Sequence, residues 1–75
     1  MKRIGEVTRT AQGLLVVRSV DDSYPRLGTT VIDENLDEIG AVVIVFGPVE
    51  RPYLAVSPDG EPRASFVGSA LYARD

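Results

Sequence analysis

The sequence contains no cysteine, no histidine and no tryptophan, and only five of its 75 residues are aromatic. Without cysteine the chain forms no disulfide bond and offers no thiolate ligand to a metal. Without histidine it lacks the commonest metal ligand and the commonest general base. We therefore expect no catalytic residue, no cofactor, no bound metal and no small-molecule substrate.

Long apolar runs are absent as well. The longest, Ala41 to Phe46, is far shorter than the roughly 20 residues that a membrane-spanning helix needs. The N-terminal stretch MKRIGEVTRT starts with basic residues but has no apolar segment behind them, so it does not resemble a signal peptide. We predict a cytoplasmic protein that does not contact a membrane.

An excess of positive charge is also missing. The sequence has eight Lys and Arg residues and eleven Asp and Glu residues, which gives a formal net charge of −3. Proteins that grip a phosphate backbone over a wide surface are usually basic, so this balance argues against such a binder.

The length of 75 residues predicts a single domain spanning residues 1–75. A domain of this size buries only about 60% of the surface that its unfolded chain exposes. Its stability therefore depends on good packing or on a partner that covers more surface.

The most informative stretch of the sequence is IGAVVIVFGPVERPY, residues 39–53. Its apolar run is rich in β-branched residues and ends abruptly at Gly47-Pro48, which is typical of a central strand that leaves a sheet through a rigid turn. A buried strand would account for Val45 and for all of the run from Ala41 to Ile44.

Shorter stretches with strand character lie on both sides of this run, separated by turn residues such as Gln12-Gly13 and Pro58-Asp59-Gly60. No window keeps apolar residues at helical spacing, so no helix is expected. Six short strands in so small a chain predict an all-β fold, a small closed barrel that leaves no sheet edge exposed. The predicted strands are 2–9, 14–18, 29–32, a central strand that follows Glu38 and contains the run 41–46, 51–56 and a short strand at 71–72. The predicted loops are 21–27, 33–37 and 57–63.

The sequence resembles the core domain of the GAR-type subunit of box H/ACA ribonucleoproteins, the RNA-guided pseudouridylation complexes. The block VFGPV at 45–49, followed by Pro52-Tyr53, is the most specific part of the resemblance. Further matching residues extend over nearly the whole chain: Gly5-Glu6-Val7, 13–17, Gly28, 31–33, Ile39-Gly40, Val67-Gly68 and Leu71-Tyr72.

The resemblance implies a six-stranded barrel like those of translation factors and a subunit without catalytic activity. Such subunits dock on the catalytic domain of the pseudouridine synthase and help it to place substrate RNA and release product, by affecting a mobile loop over the active site. They bind little or no RNA, so guide RNA and rRNA would be reached only through the complex. The chain has no Gly/Arg-rich tail and in this respect looks like an archaeal member.

A partner-binding surface is predicted around the Gly-Pro turn. Phe46 and Val49 flank this turn, and large apolar side chains on a rigid surface loop suit a protein interface because little entropy is lost on docking. Tyr53 lies beside the turn and combines an apolar ring with a polar tip. The predicted partner-binding residues are Val45, Phe46, Gly47, Pro48, Val49, Pro52 and Tyr53.

Three other features favour plainer interpretations. Tyr24 and Pro25 could form a second contact, but a loop with one packed aromatic ring is the simpler explanation. The cations Arg18, Arg26 and Arg51 could contact phosphate, yet solvated surface charges are favoured in an acidic protein. The carboxylates Asp33, Glu34, Asp37 and Glu38 lack the spacing of a calcium-binding loop and are best explained as a solvated turn.

Two other functions compete with the docking subunit. A small barrel could bind RNA directly, as OB-fold and cold-shock domains do with aromatic rings and cations on a strand face. The aromatic residues here are scattered along the chain and no basic stripe accompanies them. An enzyme is the weakest alternative, because the sequence has no nucleophile motif.

Overall fold

The computed structural model of the chain describes residues 2–60 and 64–74 and shows a closed antiparallel barrel of six strands, with the spatial order β1-β2-β5-β4-β3-β6. The prediction of an all-β barrel is thereby confirmed. The strands are β1 (Lys2–Ala11), β2 (Leu14–Ser19), β3 (Thr30–Ile32), β4 (Glu38–Phe46), β5 (Tyr53–Pro58) and β6 (Ala70–Ala73), and one short 3-10 turn covers Ala64–Phe66.

Because all neighbouring strands run antiparallel, the connections lie alternately at the two ends of the barrel. One end carries the 20–29 and 47–52 loops together with the start of β1, and we call it the Tyr53 end. The opposite end carries the β1–β2 turn, the 33–37 turn and Asp59, and we call it the acidic end.

The core fills the barrel with aliphatic side chains from all six strands. Leu15, Leu54 and Leu71 are fully buried, and each comes from a different strand. Burial of this kind is the main favourable term in folding, at about 25 cal/mol per Å² of apolar surface. The core cluster consists of Ile4, Val7, Leu15, Val17, Val31, Ile39, Val42, Leu54, Val56, Leu71 and Ala73.

Two glycines allow neighbouring strands to approach closely. A Cβ atom at Gly5 would overlap the carbonyl oxygen of Arg18, and one at Gly40 would overlap the carbonyl oxygen of Ser57. Gly40 pairs with Pro58 near the start of β4 and the end of β5. The lack of a side chain at these positions is therefore a condition for closing the barrel.

Strand β5 differs from the prediction at both of its ends. Strand β5 begins at Tyr53 rather than Arg51, because the Arg51 amide donates to the Pro48 carbonyl in a turn. Ser57 and Pro58 extend β5 instead of starting the 57–63 turn, since Ser57 pairs with Ala41 on β4. The rest of that predicted turn includes residues 61–63, which lie outside the described residues.

The end of the chain differs from the prediction in its details. Phe66 ends the 3-10 turn and packs against the core, and β6 covers Ala70–Ala73 rather than 71–72 alone. Gly68 turns the backbone before β6, as expected, with φ near 90°. In the described part of the chain, no helix has the length and apolar character needed to cross a membrane.

Candidate protein-docking surface

The register of three adjacent strands decides which side chains reach the surface. Val17 on β2, Leu54 on β5 and Val45 on β4 form one row across the sheet and point into the barrel. Side chains alternate between the faces of a strand, so the rows on either side of this one point outward. One outward row is Arg18–Tyr53–Phe46, and the other is Val16–Ala55–Ile44.

A β-bulge in β4 adds one more apolar side chain to the outside. The register shifts between Val42 and Ile44, which leaves Val43 as the extra residue. Bulges of this kind redirect side chains and break the strict alternation of a strand. Val42 is fully buried, whereas Val43 and Ile44 are 41% and 48% exposed.

Tyr53 is held between neighbours on both sides. Its ring stacks on Phe46 with a centroid distance of 5.6 Å and an interplanar angle of 21°. The Arg18 guanidinium lies 4.8 Å from the Tyr53 ring centroid, and its Nη1 donates to the Tyr53 hydroxyl at 3.0 Å. The ring is therefore fixed before any partner arrives.

The 47–52 loop is tied to the end of β2. Arg51 Nε donates to the Ser19 carbonyl at 2.8 Å, and the Ser19 amide donates to the Pro52 carbonyl at 3.0 Å. Gly47 has φ near 87°, and a Cβ atom there would lie 2.9 Å from Cδ2 of Tyr53. The loop thus closes directly over the Tyr53 ring and holds Val49 at its tip, 85% exposed.

Together these residues form a continuous apolar surface on the outside of β2, β5 and β4. We call it the apolar outer face, and its members are Val16, Val43, Ile44, Phe46, Tyr53 and Ala55. Val16 and Ala55 are its buried floor, and the other four are partly or well exposed. An open groove of about 430 Å³ crosses it, lined by Arg9, Ala11, Gln12, Leu14, Val16, Ile44, Phe46 and Ala55.

The predicted site residues divide into two groups in the structure. Phe46, Gly47 and Tyr53 lie together, and Pro48 and Val49 extend from them in the exposed loop. Val45 packs against the core and Pro52 is buried, so neither presents its side chain to a partner. These two residues support the surface from below.

The interpretation of residues 41–44 as wholly buried was wrong. Val43 and Ile44 are exposed because of the bulge, and they add apolar side chains to the outside of the strand that carries Phe46. Val16 and Ala55 were missed as well, because they look like ordinary core residues. The only sequence signal was the unbroken apolar run at 41–46, which leaves no polar residue for the outside of that part of β4.

The cations considered in the sequence have different roles. Arg18 contacts Tyr53, and Arg51 bonds to the Ser19 carbonyl, so both stabilise the surface from its edge. Arg26 lies elsewhere, with Tyr24 and Pro25, in the lining of a separate cavity at the Tyr53 end.

Three of the four carboxylates lie in the 33–37 turn, and Glu38 begins β4, where Oε2 lies 3.9 Å from Nη1 of Arg74. Asp33 Oδ1 accepts hydrogen bonds from the backbone amides of Asn35 and Asp37, at 2.9 and 3.0 Å. This is the local turn chemistry for which Asp is preferred. Within residues 2–60 and 64–74, no cluster of three or more acidic side chains is arranged to hold a metal ion.

Two comparisons with known proteins agree with this architecture. The family model described as the Gar1/Naf1 RNA binding region matches residues 1–74. An uncharacterized protein from Methanothermobacter thermautotrophicus is 31% identical over 77 aligned positions, covering 96% of this chain and 82% of that protein. The chain belongs to the Gar1/Naf1 RNA-binding-region family, whose members are associated with H/ACA ribonucleoproteins.

Proposed function

We propose that this chain is a non-catalytic subunit of an H/ACA ribonucleoprotein that docks on the pseudouridine synthase subunit through its apolar outer face and the adjoining 47–52 loop. Docked there, it promotes substrate placement and product release in RNA-guided pseudouridylation of rRNA. Its place of action is the cytoplasm, and it reaches guide RNA and rRNA through the complex.

The observation that carries this proposal is the exposed apolar surface around Phe46 and Tyr53. Ile44, Phe46 and Val49 are 48%, 40% and 85% exposed; the first two point outward from β4 and Val49 lies in the loop that follows this strand. Contiguous exposed apolar surface on a small protein is typical of a binding site for another protein. Membership in an H/ACA-associated family points to the synthase as the partner.

The rigidity of the surface supports the same role. Tyr53 is stacked on Phe46 and bonded to Arg18, and the loop is fixed to Ser19 by two hydrogen bonds. A partner that meets a fixed surface loses little conformational entropy on binding. An aromatic anchor surrounded by apolar neighbours is the usual composition of an interface hot spot.

The same geometry weakens the alternative that this face stacks RNA bases. A base-stacking site presents an open ring face next to cations that track the backbone. Here Phe46 stacks on Tyr53 and the Arg18 guanidinium lies over the same ring. Arg9 is the one cation among the described residues that line the groove, so no row of cations follows the face.

Calorimetric titration tests the proposal. The chain is titrated into a purified archaeal pseudouridine synthase subunit, and then into guide RNA alone under the same conditions. We expect a stoichiometric complex with the synthase and no measurable heat with guide RNA at micromolar concentrations. Binding to guide RNA without binding to the synthase would replace the proposal with direct RNA binding.

A further inference from the structure

A cavity of about 250 Å³ lies at the Tyr53 end, between the start of β1 and the 20–29 loop. It shares no lining residue with the groove on the apolar outer face. Ile4 of the core, Val20 and Thr29 are among the residues that line it. The cavity is therefore a second concave site, separate from the proposed docking surface.

Three cations line this cavity, and the two carboxylates of its loop, Asp21 and Asp22, are not part of the lining. Lys2, Arg3 and Arg26 all line it, although the chain as a whole has more acidic than basic residues. No carboxylate of a described residue takes part in the lining. Asp21, in the same loop, accepts a hydrogen bond from the Ser23 amide. A cleft lined by charge of one sign concentrates ions of the opposite sign, so this one favours an anion.

An aromatic ring stands beside these cations. Tyr24 lines the cavity and is 57% exposed, which is more than either Phe46 or Tyr53. Pro25 restricts the backbone of Tyr24 to an extended conformation and so limits the directions the ring can take. In contrast to Tyr53, Tyr24 stacks on no aromatic ring among the described residues.

We propose that this cavity binds one nucleotide of a single-stranded RNA, with the base stacked on Tyr24 and the phosphate held by Lys2, Arg3 and Arg26. An exposed aromatic ring combined with cations is the chemistry by which proteins hold single-stranded nucleic acid without reading its sequence. The volume accepts one nucleotide, and a duplex would need a far wider basic surface than this acidic chain has.

The position of the cavity relates this RNA contact to the proposed docking loop. It opens at the same end of the barrel as the 47–52 loop, and Ser19, which anchors that loop, immediately precedes Val20 in the cavity wall. This part of the argument rests on the proposed function, since docking through that loop would bring the cavity into the complex that holds the RNA. A contact to one nucleotide is weak on its own but becomes effective when the strand is held nearby.

The test uses the free 75-residue chain, so its result does not depend on the synthase. Hexauridylate is titrated into isotope-labelled protein at millimolar concentration, and NMR shifts are followed. We expect the shifts to centre on Ile4, Val20 and Thr29. Uridine and inorganic phosphate, each added alone at the same concentration, should give much smaller shifts because each supplies only half of the contact.

Matched variants separate the cavity from general effects. Tyr24→Ala is expected to weaken hexauridylate binding at least about fivefold, whereas Leu27→Ala, which removes another exposed apolar side chain of the same loop, should have no effect. Arg26→Gln is expected to lower the salt dependence by about 0.7 in the slope of log K against log salt. Arg9→Gln removes one cation outside the cavity and should leave the slope unchanged.

Several results would overturn the proposal. Equal binding by Tyr24→Ala, or shifts confined to other surfaces, would show that the cavity is not the RNA contact. Phosphate alone reproducing the shifts would reduce it to an anion site, and a hexaglutamate peptide reproducing them would indicate an acidic peptide as the ligand. Loss of synthase binding in Tyr24→Ala would assign the cavity to the docking surface, while normal synthase binding without any RNA shift would refute this inference alone.

Discussion

The two ends of the barrel differ in what their connections leave exposed. At the Tyr53 end, the 47–52 loop and the adjoining face expose aliphatic and aromatic side chains, and cations gather around the cavity next to them. At the acidic end, the 33–37 turn exposes carboxylates whose main hydrogen bonds stay within the turn.

The difference shows why exposure alone does not identify a functional surface. Exposed carboxylates are solvated by water at no cost, and Asp33 also stabilises its own turn. Exposed Ile44, Phe46 and Val49 gain nothing from water, so their retention on a rigid support favours a partner that covers them. We therefore propose that the partner binds at the Tyr53 end and that the acidic end has a structural role.

The largest expected effect is on the stability of the whole barrel. Gly40→Ala places a Cβ atom against the Ser57 carbonyl and forces β4 away from β5, so we expect a loss of about 3 kcal/mol or more in the free energy of unfolding. Denaturant unfolding measures it. Gly60→Ala is the matched control, because a Cβ atom at Gly60 meets nothing within 4 Å. Equal stability of the two variants would refute the close approach at Gly40.

The next effect concerns binding by the Tyr53 end. Phe46→Ala and Tyr53→Ala are each expected to cost about 2 kcal/mol of synthase affinity, roughly a 30-fold rise in Kd, because both are central anchors. Calorimetry measures the change. Leu36→Ala removes an exposed apolar side chain at the acidic end and should bind as the unchanged chain does. If both aromatic variants are folded and bind normally, the docking surface lies elsewhere.

A smaller effect isolates the contact between the loop and the Tyr53 ring. Gly47→Ala and Gly13→Ala place alanine at φ angles of 87° and 80°, and each substitution costs about 1–2 kcal/mol of stability. Only at Gly47 does the new Cβ atom also press on Tyr53, so we expect weaker synthase binding from this variant alone. Thermal melting measures the stability of both variants, and calorimetric titration measures their affinity for the synthase. Equal synthase affinity of the two variants would show that the ring position does not matter.

The smallest effect concerns the acidic end. Asp33→Ala removes the acceptor of two backbone amides and should destabilise the fold by about 1 kcal/mol, with Glu34→Ala as a control that leaves stability unchanged. Thermal melting measures both. Neither variant should alter synthase binding, and a loss of affinity in either would show that the acidic end also contacts the partner.

The barrel itself could be predicted because its information is local. Apolar stretches of strand length alternate with turn residues such as Gln12-Gly13, whose positive φ angles suit the tight β1–β2 turn. Strand ends were harder, since Ser57 and Pro58 have turn chemistry but are drawn into β5 by pairing with β4.

The apolar outer face could be predicted only in part. Phe46, Gly47 and Tyr53 were recognisable because they adjoin a Gly-Pro turn and carry the family resemblance. The exposure of Val43 and Ile44 depends on a bulge that leaves no mark in a run of aliphatic residues. The cavity combines Lys2 and Arg3 with a loop more than 15 residues away in sequence, so only the closed barrel brings them together.

The most direct test of the account follows methyl NMR signals of the chain as unlabelled synthase is added. Val43, Ile44 and Val49 report on the apolar outer face and its loop, and Leu36 reports on the acidic end. The account predicts large shifts or broadening for the first three and a signal from Leu36 that changes only with the overall size of the complex. Specific perturbation of Leu36, with Ile44 and Val49 unchanged, would contradict it.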